Sequence, residues 1–279
     1  MALVGVVFVF EKLNSYAADI NLTIFNAWTW TVIAILALVY GLSNLMLAQA
    51  WHKLLQHLGV SVAVQWAIWA YGVSQISRYL PGNMFHLAGR QAMGAAAGIP
   101  HWPLAKSTVW ELGLIAAAGA MFGFLVLPVL SEQIPFLIGL VLFVILLIAI
   151  VFVLNHLSSK AIVLAFLWYV SFLIISGMIF LGLIELLSEY TVIKVTDWFA
   201  FIGVYVVAWL VGLVTPGAPA GIGVRELVLL LLLNGMVGEA ELVMAVAFGR
   251  LVTASGDALF FIASSIYGRR FFHAKFSNY

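Results

Sequence analysis

The chain contains no cysteine, and only 8% of its 279 residues are charged. Without cysteine there is no disulfide framework, no thiolate metal site and no cysteine nucleophile. Lys and Arg number 12 against 11 Asp and Glu, so the formal net charge of +1 offers no basic field for nucleic acid. Soluble domains carry about 25% charged residues. A charge content of 8% in a 30.4 kDa chain cannot coat a globule, which excludes a soluble fold. Proline is also scarce, at seven residues, so each one has positional meaning.

What is abundant is apolar surface: 65% of residues are hydrophobic and the mean hydropathy is +1.16. In hydrocarbon every backbone N–H and C=O must be satisfied internally, so apolar runs of about 20 residues read as helices. Spans are expected at about 27–48, 60–77, 107–130, 134–155, 161–183 and 198–215, with another at 240–267 that carries Arg250 and Asp257. The run Met1–Phe10 reads as a short first span or a surface helix, and without a basic leader or a small-residue cleavage site it does not read as a signal peptide. The expectation is an all-α, polytopic membrane protein with about 7–8 transmembrane helices, forming one domain over residues 1–279. Basic residues of the tail, Arg269, Arg270 and Lys275, favour a cytoplasmic C-terminus. Trp28, Trp30, Trp51, Trp66, Trp102, Trp168 and Trp198 lie near span ends and are expected as interfacial anchors. Gly119 and Gly123, four apart, are expected to permit close helix packing.

Two stretches break the apolar pattern and resemble each other. The first runs Arg78-Tyr-Leu-Pro-Gly-Asn-Met-Phe-His-Leu-Ala-Gly-Arg90, and the second Thr215-Pro-Gly-Ala-Pro-Ala-Gly-Ile-Gly-Val-Arg-Glu226. In each, an arginine stands nine residues after the proline of a Pro-Gly pair: Pro81 to Arg90, and Pro216 to Arg225. Proline removes a donor and glycine tolerates unusual φ, so each pair unwinds the backbone. Unwound backbone at membrane depth survives only inside protein or beside a water-filled cavity. Two re-entrant hairpins related as an internal repeat, with motifs over 75–111 and 212–257, are therefore expected to line one cavity. The alternative is a pair of ordinary surface turns whose spacing agrees by coincidence.

Arg78, Arg90, Glu111, Arg225, Glu226, Arg250 and Asp257 lie in or beside predicted membrane segments. Each costs about 2.5–3.5 kcal/mol to insert, so such groups face a bundle interior or a cavity. They serve either as buried ion pairs that hold helix register or as a site. Arginine presents planar donors that clamp phosphate oxygens, and turn backbone N–H groups add an anion-binding concavity. The expected site joins Arg90 and Arg225, with Arg78 at the rim, around a lipid phosphate. Asn83, His86, Pro216, Gly217, Gly221, Gly223 and Arg250 complete it, and Glu111, Glu226 and Asp257 counter the arginine charges. No histidine pair has metal-ligand spacing, no nucleotide loop or Ser/His/Asp set is present, and no cofactor or catalytic residue is expected.

At these motifs the chain resembles the lysylphosphatidylglycerol synthase transmembrane-region family, the flippase-like domain. The resemblance is carried by Gln75-Ile-Ser-Arg-Tyr-Leu-Pro-Gly-Asn83 through Gly89-Arg90, by Glu111, by Pro216-Gly217 through Gly221-Ile-Gly-Val-Arg225-Glu226, and by Arg250. Ala218-Pro219 departs from the family's usual Pro-Gly-Gly. The resemblance implies a bacterial inner-membrane protein that moves an anionic phospholipid or a polyprenyl-phosphate-linked glycolipid between leaflets. It does not imply lysyl transfer, since these 279 largely apolar residues hold no soluble transferase domain. The other readings are a noncatalytic partner of a glycosyltransferase or lipid synthase, and an integral-membrane enzyme acting on a lipid phosphate.

Overall fold

A computed structural model describes residues 26–80, 84–131, 133–188, 193–215 and 221–276. Asn83, Pro216 and Gly217 of the expected site, and the N-terminal run Met1–Phe10, lie outside the described residues. The described residues are helical, without a strand, as the apolar runs require.

Among the described residues ten α-helices follow one another: α1 (Ala27–His57), α2 (Val64–Gln75), α3 (Phe85–Ala96), α4 (His101–Met121), α5 (Gly123–Leu130), α6 (Phe136–Leu157), α7 (Lys160–Leu187), α8 (Val195–Val214), α9 (Val224–Leu232) and α10 (Glu239–Phe276). Six helical segments among the described residues are long and apolar enough to cross a membrane: α1, α4 continued by α5, α6, α7, α8, and α10 as far as Gly268. The chain is thus an all-α, multi-pass membrane protein. Its start is fixed locally, since the Asn26 side chain accepts from Thr29 N at 3.1 Å and caps α1.

The stretch 60–77, expected as a span, is instead the 12-residue α2 followed by a 3₁₀ turn, Ile76–Tyr79. Gly59, at φ 76°, delays its start, and the 3₁₀ turn ends it just before Pro81. At 1.5 Å per residue, α2 and the 12-residue α3 are each about 18 Å long, short of the roughly 30 Å hydrocarbon thickness. The 9-residue α9 is shorter still.

Helix α7 is the hub. Its Phe166, Tyr169, Phe172 and Phe180 are buried against α1, α4, α8 and α10. Helix α6 is the opposite case: only Gly139 and Phe143 are buried, one side with Leu140, Leu147, Ile150 and Leu154 is half-buried against the core, and the other with Leu137, Val144, Ile148 and Phe152 is exposed. Helices α1 and α10 cross at Gly41 and Gly256, where a Cβ on Gly256 would stand 2.7 Å from Ala37 O. That approach brings Tyr40 and Asn44 opposite Asp257, near the middle of both spans. Gly119 does support close packing, against Leu210 of α8, whereas Gly123 has no neighbour near its Cβ position. Trp28 and Trp102 are exposed at helix starts, as anchors should be. Trp51 is not, being only 1% exposed, stacked with Trp66 and donating to Ser107 Oγ at 3.1 Å.

Candidate functional site

The first Pro-Gly stretch is reached through the 3₁₀ turn, which delivers Arg78 and Tyr79 to Asp257. Arg78 Nη1 lies 3.3 Å from Asp257 Oδ2, Tyr79 Oη donates to the same oxygen at 2.7 Å, and Asn44 Nδ2 donates to Oδ1 at 3.0 Å. Gln75, one turn earlier, sets its amide 2.9 and 3.2 Å from the two Arg78 Nη atoms, and with its oxygen assigned to that side it accepts from both. Asp257 is 1% exposed, and these three donors supply the compensation that a buried carboxylate needs.

The second stretch is reached from α8. Gly221, at φ 69°, lies against Gly212, where a Cβ on Gly212 would stand 3.1 Å from Gly221 Cα. Only glycine at both positions lets the returning chain touch the helix it has just left. Gly223, at φ 89°, then starts α9, and Glu226 Oε2 accepts from Gly223 N at 2.6 Å. The other oxygen of Glu226 accepts from Arg250 Nε on α10. Glu226 therefore caps its own helix and pairs with a neighbouring one.

Between the two stretches lies a cavity of about 40 Å³. Three arginines line it, Arg78, Arg225 and Arg250, from three different elements. Tyr40, Tyr79, His86, Thr253 and Asp257 add polar groups, and Trp209, Leu213 and Gly221 close the α8 side. Arg225 is 6% exposed and lies over the Tyr205 ring, with Cζ 4.3 Å from its centroid. Among the described residues it makes no ion pair and no hydrogen bond. His86 is likewise buried, and its Nδ1 has no partner among the described residues. A buried, unpaired guanidinium is costly unless something negative joins it.

Of the predicted site residues, Arg78, His86, Gly221, Arg225, Arg250 and Asp257 come together at this cavity, and Glu226 and Gly223 stand directly behind it. Arg90 and Glu111 lie apart from it, in contrast to the single groove expected for Arg90 and Arg225. Arg90 Nη2 is 3.0 and 2.9 Å from the two oxygens of Glu111, Tyr71 Oη donates to Glu111 Oε1 at 3.1 Å, and the guanidinium lies over the Tyr71 ring at 4.2 Å. The carboxylate of α4 has captured this arginine, and Gln91 reinforces the same α3–α4 contact through Leu104 O at 2.8 Å. Tyr40, Asn44, Tyr79 and Thr253 were not expected. Asn44 carried the clearest signal, an amide inside the charge-free run 20–52. The tyrosines gave none, because in a membrane sequence they read as interfacial.

Arranged this way, the residues can hold an anion: guanidinium donors, hydroxyls and an imidazole converge on a small space at mid-span. Among the described residues no group of acidic and histidine side chains could hold a metal ion. Compared with protein-family models and with curated proteins, the chain matches none.

Proposed function

We propose that this protein is a lipid transporter that carries an anionic lipid headgroup between leaflets, holding its phosphate in the cavity between the two Pro-Gly stretches. The observation that carries the reading is Arg225: buried, unpaired among the described residues, and facing a cavity that two further arginines line. A guanidinium left without a carboxylate inside a membrane protein is stabilised when an anion joins it. The short α2, α3 and α9 support re-entrant hairpins, because α2 ends, and α3 and α9 begin, beside residues at the middle of α1 and α10. Such hairpins give a polar headgroup a path past hydrocarbon while the tails stay in the bilayer. The motif resemblance to the flippase-like domain family supports the same reading, and with it a place in a bacterial inner membrane.

The test is leaflet exchange of fluorescent phosphatidylglycerol in proteoliposomes containing the full chain, wild type against Arg225→Gln. A hydrogen bond to a charged group contributes about 1.5–3 kcal/mol, so exchange should slow roughly 10- to 150-fold. Equal rates in the two proteins, or wild-type rates no faster than in protein-free liposomes, would sink the proposal.

A further inference from the structure

The charges around the cavity do not balance, and the imbalance is a specific number. Arg78 is met by Asp257 and Arg250 by Glu226, while Arg225 is met by no carboxylate. The Arg90–Glu111 pair, further off, is neutral as a unit. Neither residues 81–83 nor residues 216–220 contain an ionisable side chain, so the Pro-Gly stretches add nothing to the count. Among the described residues, with His86 neutral, four interior arginines face three interior carboxylates and one positive charge is left over.

Glu226 decides that remainder. It is the sequence neighbour of Arg225, yet its two oxygens are committed elsewhere, one to Arg250 Nε and one to Gly223 N at 2.6 Å. The second bond ties the carboxylate to the first turn of its own helix, so it cannot swing to Arg225 without uncapping α9. Were Glu226 neutral, the surplus positive charge beside the cavity would rise from one to two among the described residues.

We propose that Glu226 sets the ligand charge this cavity accepts at a single negative charge, so that it takes a phosphodiester headgroup and discriminates against phosphomonoesters and pyrophosphates. The inference rests on the anionic-lipid reading above. A diester phosphate carries one charge and neutralises Arg225. A monoester carries about −1.5 to −2 near neutral pH, and its extra charge would stay buried without a partner.

The experiment is calorimetric binding to the purified full chain in detergent at pH 8, where a monoester is a dianion. The probes are dihexanoyl phosphatidylglycerol, dihexanoyl phosphatidic acid, geranyl pyrophosphate, inorganic phosphate and dihexanoylglycerol. The diester is expected to bind at least about tenfold more tightly than every other probe. Glu226→Gln, whose amide oxygen can still accept from Gly223 N, should move the preference about tenfold or more toward phosphatidic acid. Asp257→Asn raises the site charge by the same amount from the other side and should shift the preference in the same direction, which covers the case in which Glu226→Gln fails to fold. Phosphatidic acid, pyrophosphate or inorganic phosphate binding the wild type as tightly as the diester would overturn the charge rule. So would an unchanged diester-to-monoester ratio in a folded variant. If no anionic probe binds more tightly than dihexanoylglycerol, the anionic-lipid reading itself falls, and the charge rule with it.

Discussion

Arg90 and Arg225 begin as twins. Each stands nine residues after the proline of a Pro-Gly pair, and each lies over a tyrosine ring from the helix before the break, at 4.2 Å for Tyr71 and 4.3 Å for Tyr205. Twenty-one residues after Arg90 the chain supplies Glu111, and the pair closes at 2.9 Å. Twenty-one residues after Arg225 stands Val246, which is buried and apolar. One arginine has become a fastener between α3 and α4, while the other faces a cavity with its charge unanswered among the described residues. Two copies of one local pattern take different roles because a buried charge is defined by what stands opposite it, and that partner comes from another helix.

Stability and binding should therefore separate between the two sites. The largest effect on folding is expected for Glu111→Ala, which strands Arg90 in the interior. Removing one partner of a buried pair costs about 3–5 kcal/mol, read as a lowered unfolding midpoint in detergent. Replacing both partners together, Arg90→Met with Glu111→Leu, should restore most of that loss, because the stranded charge is gone. Next comes Gly212→Ala. It forces a methyl to 3.1 Å from Gly221 Cα and should cost about 1–3 kcal/mol while disturbing the cavity. Its counterpart Gly89→Ala meets only Ser74 Cβ at 3.7 Å and should leave the midpoint unchanged or slightly raised. Tyr71→Phe removes one of the bonds to Glu111, for a loss of about 1 kcal/mol and no change in leaflet exchange. The smallest stability effect belongs to Arg225→Gln, whose midpoint should equal or exceed that of the wild type even as exchange fails. A marked drop in that midpoint would make Arg225 another fastener and erase the contrast.

Much of this was legible along the chain. The apolar runs 134–155 and 161–183 became α6 and α7, because in hydrocarbon a continuous apolar stretch has no alternative to helix. The intramembrane charges were legible as interior groups for the same reason. The run 60–77 misled because hydropathy measures composition, and a short helix buried in protein is as apolar as a spanning one. Trp51 misled in a similar way: position near a span end suggested an anchor, and burial against Trp66 and Tyr71 needed the packing of α2 onto α1.

The sequence by itself determined that this is a membrane protein, that its helices are broken at two Pro-Gly stretches, and that its few charges gather there. These follow from terms local to the chain: the cost of exposing backbone to lipid, the missing proline donor and the freedom of glycine. Tertiary structure alone decided which charge answers which. Arg78 found Asp257 179 residues away, Arg90 found Glu111, Glu226 turned to Arg250, and Arg225 was left facing the cavity. Electrostatic pairing at low dielectric acts through space over a few ångströms, so only the packed helices could settle which arginine would be the odd one out.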